Sequence, residues 1–149
     1  MNKIFASFLV VAALSSLLLA QNPHKKNATV VIARKSFRNQ VGPIPTTTLF
    51  TPASNGDFRV SVYLESGTIT APFPNNQIWV NAIWTDDFAQ QCIAEGGFLS
   101  SGKYTQGSTV IHGIANKPIV INGGGPGACA TTPDTIDQYN AFVTLEKLP

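Results

Sequence analysis

Two cysteines, Cys92 and Cys129, and two histidines, His24 and His112, are the side chains of this sequence with the broadest chemical range. A nucleophilic cysteine needs a base beside it to hold the thiolate, and these two imidazoles are the only ones available. An even pair of cysteines in an exported chain points instead to a disulfide. Closing a loop of that length stabilises a fold by roughly 4 kcal/mol in the chain-entropy model. His112 lies between Ile111 and Gly113 in an alternating stretch, where it shares a face with Val110 and Ile114. That setting reads as a structural or interface histidine, not a ligand or base.

The carboxylates were weighed in the same way. Glycoside hydrolysis needs two of them facing across a cleft. Asp86 and Asp87 are adjacent, and adjacent strand residues point apart. Asp134 and Asp137, with loop carbonyls, offer the oxygen ligands Ca²⁺ wants but lack the EF-hand spacing, so a solvated acidic loop is the simpler reading. The run from Gly123 to Gly127 lacks the Lys-Ser/Thr ending of a phosphate loop and reads as a flexible turn. HExxH, a Ser/His/Asp spacing and paired CxxC are all missing from the sequence. The sequence thus predicts no catalytic residue, cofactor or metal site, and a non-enzymatic protein.

What remains is the aromatic set. Most of it, including Trp84, Phe88, Phe98 and Tyr139, is expected in a core. Tyr63, Trp79, Ile83, Tyr104 and Phe142 form the candidate interface or ligand platform. An exposed coplanar row of rings would stack on sugars, whereas a convex apolar patch rimmed by polar groups would bind another subunit. The first expectation is self-association through a sandwich face carrying Trp79, Ile83 and Phe142. The alternatives are a carbohydrate-binding module using Tyr63, Trp79 or Tyr104, and a surface-filament subunit whose N-terminal arm adds as a strand to its neighbour.

These residues need strands to hold them. The clearest is Phe58–Glu65, which follows a turn rich in Pro, Ser, Asn and Gly at 52–56. Phe58, Val60, Val62 and Leu64 share one face, and Arg59, Ser61, Tyr63 and Glu65 the other. Further strands are predicted at 28–33, 46–51, 78–85, 108–114, 118–122 and 139–148. The segment 78–85 is apolar on both faces, so it is either central in the sandwich, the simpler reading, or half-buried with its outer face covered by a partner. Periodicity does not decide between a helical turn and a bulged strand for 88–94. Short strands with Gly/Pro/Asn turns and no helical period predict an all-β fold, an antiparallel β-sandwich of jelly-roll type.

The turn and strand over Thr51–Tyr63, the pair GSTVIHGIANKPIVING (107–123) and the last strand YNAFVTLEKLP (139–149) resemble the globular heads of the complement recognition protein and the tumour necrosis factor superfamily. The resemblance covers much of the chain in pattern and order. It implies a jelly roll that tends to form trimers, and no chemistry.

Composition supplies the address. Lys3 followed by an apolar run to Leu19 and the small Ala20 predicts a secretory signal peptide over residues 1–20, too short to span a membrane. A basic N-terminal arm with the first strand is expected over 21–45, and the sandwich over 46–149, the whole making one domain. The net charge is +2 over 149 residues, which argues against a nucleic-acid binder. Before Asp57 the charges are all basic, whereas acids outnumber bases beyond it. The reading is therefore a secreted homo-oligomer, a trimer in the first instance, with a glycan or cell-surface partner and no membrane span after cleavage.

Overall fold

Alternation decides which side of a strand meets the core, most plainly over residues 58–66 and 139–146. The computed structural model describes residues 28–67, 77–98, 103–124, 129 and 138–149. Its strands are β1 (Val30–Gln40), β2 (Thr47–Phe50), β3 (Gly56–Ser66), β4 (Gln77–Thr85), β5 (Gln90–Phe98), β6 (Tyr104–Gly113), β7 (Ile119–Gly124) and β8 (Tyr139–Lys147). They form two four-stranded antiparallel sheets, β1-β8-β3-β6 (sheet A) and β2-β7-β4-β5 (sheet B). The first and last strands are neighbours, and the chain crosses repeatedly between sheets. This is the eight-strand jelly roll. No helix among the described residues is long and apolar enough to cross a membrane.

β3 is the centre of sheet A, paired along its length to both β6 and β8. Phe58, Val60, Val62 and Leu64 from its inner face meet Ala141, Val143 and Leu145 of β8 within the core. Sheet B closes the core from the other side with Ile78, Val80 and Ala82 of β4 and Ile119 and Ile121 of β7. Each Val, Leu, Ile or Phe among them contributes about 1.5–3 kcal/mol when fully buried.

Two elements differ from the sequence reading. β1 does not stop near residue 33 but runs to Gln40 along β8, with register shifts at 31/33 and 37/40. Arg34, Lys35 and Arg38 thus lie on an edge strand of sheet A, and from Val30 onward the basic segment is part of the fold. Cations on an edge strand deter pairing with a second chain. The undecided segment is a strand, because β4 presents an edge that β5 pairs and the turn at Asp86 reverses the chain. Asp86 accepts the backbone N–H groups of Phe88 and Ala89 at 2.9 and 3.0 Å.

The link between β1 and β2 crosses the end of the sandwich. Ile44 enters the core there, and its carbonyl accepts the N–H of Gly123 at 3.0 Å. A Cβ on Gly123 would lie 2.9 Å from the Ile44 Cβ and 3.1 Å from its backbone N. The glycine therefore admits the close approach, and Gly123 and Gly124 belong to β7, not to a flexible turn. Tyr139 pins the same link, donating its hydroxyl to the Gly42 carbonyl at 2.7 Å. Burial pushes its phenol well above its ordinary value. The predicted signal peptide and the acidic pair Asp134 and Asp137 lie outside the described residues.

Candidate functional site

The sandwich has two outer faces, and the candidate residues are divided between them. On β4 the residues facing away from the core are Trp79, Asn81, Ile83 and Thr85; on β8 they include Phe142 and Thr144. Trp79 and Ile83 are therefore on the outside of sheet B, and Phe142 on the outside of sheet A. This corrects the expectation of one face carrying all three. Alternation assigned each residue an outer side, but only the sheet order says which outer side.

Cys129 lies against the outside of sheet B. Cys92 and Cys129 are disulfide-bonded with their Cα atoms 6.1 Å apart, and Cys92 is the register partner of Ile83. Cys129, in the left-handed region at φ 64°, donates its N–H to the Asn81 Oδ1 at 3.1 Å. Asn81 in turn donates to the Asn122 Oδ1 at 2.9 Å. Asn81 is fully buried and Asn122 nearly so, although both project away from the core. Buried amides need partners, and here the Cys129 backbone supplies one. Trp79 is half-buried, with Gly96 and Gly124 as its register partners. Ile83 is half-buried as well, so Trp79 and Ile83 make no exposed aromatic row.

Sheet A is open. Tyr104 (66% exposed), Tyr63 and Phe142 run across β6, β3 and β8. The Tyr63 and Tyr104 rings are nearly parallel, with centroids 5.6 Å apart. The Tyr63 and Phe142 rings are tilted by 49° at 6.0 Å. Arg38 of β1 extends the row, its guanidinium carbon 5.4 Å from the Phe142 ring centre. At those separations the tyrosine rings lean on one another as an offset stack, so the row is a ridge and not a flat platform. Beside it runs an open groove of about 500 Å³, lined by Tyr63, Phe142 and Gln106 and by Ser61, Ser108 and Thr144. Thr144, Ser61 and Ser108 are register partners across β8, β3 and β6, and the Ser61 hydroxyl donates to Ser108 at 3.3 Å.

A second cluster sits at the end of the sandwich where β6 finishes. His112 Nδ1 lies 2.7 Å from the Asp57 carboxylate and its Nε2 lies 3.9 Å from Asp87. The hydrogen bond to Asp57 holds the imidazole pKa above its ordinary 6.5, helped by the charges of Asp57, Asp87 and Asp86. The histidine is exposed and bridges the ends of two sheets. Asp86 is held below the usual carboxylate range by the backbone N–H groups of Ala89 and Phe88. Phe88, expected in the core, is instead 94% exposed at the tip of that turn. Among the described residues no group of His, Cys, Asp or Glu could hold a metal ion. The indole N–H of Trp84 is buried without a hydrogen-bond partner.

Arg38, Gln106, Ser61, Ser108, Thr144 and Phe88 were not singled out by sequence reasoning. Period 2 puts Ser61 on the same outer side as Tyr63, but register across three strands is needed to assemble the groove. For Phe88, the Asp-Asp pair before it was the available turn signal.

No protein-family model and no curated protein matches the chain. Among solved structures, it is similar to "Acidic stable capsid structure of Helicobacter pylori bacteriophage KHP30", at 16% identity over 83% of this chain and 90% of that chain, with a TM-score of 0.42. A likeness at that level carries no functional weight.

Proposed function

We propose that this chain is a secreted, non-enzymatic jelly-roll protein that self-associates through the outer face of sheet A. The observation that carries this reading is the asymmetry of the two outer faces. On sheet B, Asn81 is buried against Cys129 and Trp79 and Ile83 are half-buried, while sheet A leaves Tyr104, Tyr63 and Phe142 in one run bordered by polar side chains. Aromatic residues with a polar rim are the composition of a protein interface. The signal-peptide pattern and the disulfide both suit an oxidising, extracellular destination. The resemblance to complement and tumour necrosis factor heads makes a trimer the first oligomer to test.

Light scattering of the mature protein at micromolar concentration is the direct test. A defined oligomer is expected, reduced toward monomer by Tyr63→Ser with Tyr104→Ser. A clean monomer would overturn the reading.

The groove favours a second one. Hydroxyls of Ser61, Ser108 and Thr144 and the amide of Gln106 lie beside Tyr63 and Phe142, a pairing of hydrogen-bonding groups with rings that suits a glycan. Titration with oligosaccharides, followed by tyrosine fluorescence, would show saturable quenching lost in Tyr63→Ser. No change across a broad glycan panel would remove this alternative.

A further inference from the structure

Phe88 stands almost wholly exposed on the β4–β5 turn, and that turn is held closed. The Asp86 carboxylate accepts two backbone N–H groups, and the Asp86 N–H donates to the Ala89 carbonyl at 3.1 Å. An apolar ring presented on a stiff turn loses little conformational entropy on docking. Its surroundings are acidic: Asp86 and Asp87 flank it, and Asp57 lies behind across His112.

The opposite edge of sheet A carries the complementary features. A hollow of about 340 Å³ between β1 and β8 is lined by Arg34, Lys35 and Arg38 and by Phe142, with no carboxylate in its lining. Its volume exceeds that of any single side chain. Phe142 and the Arg38 guanidinium above it supply an aromatic and a cationic surface for an incoming ring and its neighbouring carboxylates.

We propose that the Phe88 turn of one molecule seats in the Arg34/Arg38/Phe142 hollow of a second copy, so that self-association runs head to tail. This rests on the self-association reading above and adds to it a contact between the Phe142 end of the sheet A face and the β4–β5 turn of a second copy. Charge complementarity identifies the occupant: a carboxylate-flanked aromatic knob matches a hollow with three cations. The two parts cannot meet within one molecule. The knob touches His112 on edge strand β6, and the hollow lies on edge strand β1, roughly 14 Å away across the sheet. An interface between different patches is heterologous and generates a ring or an open chain.

The test uses the full mature protein and two variants, Phe88→Ser/Asp87→Lys and Arg34→Glu/Arg38→Glu, each first checked for an unchanged thermal midpoint. Sedimentation velocity should show wild type assembled and each variant alone weakened by at least about tenfold in dissociation constant. Mixed together, the variants retain one intact knob and one intact hollow, and should form a 1:1 dimer that grows no further. If the Phe88 variant assembles like wild type, the knob is not the contact, while self-association through sheet A stands. If the mixture yields no 1:1 dimer, the pairing of these two sites is overturned. A monomeric wild type would overturn both this proposal and the reading beneath it.

Discussion

Residue scale is where this protein responds to pH. His112 gains its partner in the fold, so its folded pKa lies above the unfolded 6.5. A raised folded pKa means that the stabilisation is fully present below 6.5 and is lost as pH rises through the folded value. Both side chains are well exposed to solvent, so the energetic effect is small, but the titration itself is measurable. Following the imidazole proton shifts by NMR should give a midpoint above 6.5. Asp57→Asn should bring it down, and an unchanged midpoint would mean Asp57 is not the cause. Asp86 works with the opposite sign. Its depressed carboxyl contributes above its ordinary 3.8, and that contribution is lost as pH falls through the folded value.

Elements are set by where backbone can approach backbone. The β1–β2 link packs on β7 at Gly123, which is buried with the Ile44 backbone and side chain against it. Gly123→Ala should destabilise the protein by about 1–3 kcal/mol, the range for forcing extra volume into a packed site. Urea denaturation would measure this, and a shift below a few tenths would show that the link yields without cost. From the sequence, this glycine stood in a glycine-rich run with no sign of which member carried a constraint. β1 was read short for a related reason. Arg34, Lys35 and Arg38 break the apolar pattern, and only an edge position, with one side open to water, lets a strand carry them.

At the scale of the whole molecule, the disulfide joins β5 to Cys129 and closes a loop with sequence separation 37. Replacing both cysteines by alanine should lower the unfolding free energy by roughly 4 kcal/mol through the unfolded state. Because the Cys129 N–H is the partner of the buried Asn81 Oδ1, urea denaturation should show the full loss, and a loss below about 1 kcal/mol would mean that the crosslink constrains little. Among the described residues the outer face of sheet A carries the exposed Tyr104, Tyr63 and Phe142 run, which is why assembly is proposed there.

Much of this architecture was written in period 2. The alternation in β3 and β8 determined which residues form the core, and turn residues determined where strands end. The even cysteine count, with the signal-peptide pattern, pointed to the disulfide, since that argument needs only composition and an expected compartment. Alternation is blind to which sheet a strand joins, so Trp79, Ile83 and Phe142 looked equivalent until the order β1-β8-β3-β6 and β2-β7-β4-β5 separated them. Register is equally nonlocal. Tyr63, Tyr104, Phe142 and Arg38 come from four strands that meet only because β3 and β8 pair in the centre of one sheet. The sequence alone determined the fold class and the inward residues, because both follow from local periodicity. The tertiary structure decided which outward residues share a surface, because that depends on hydrogen-bonded pairing between segments far apart in the chain.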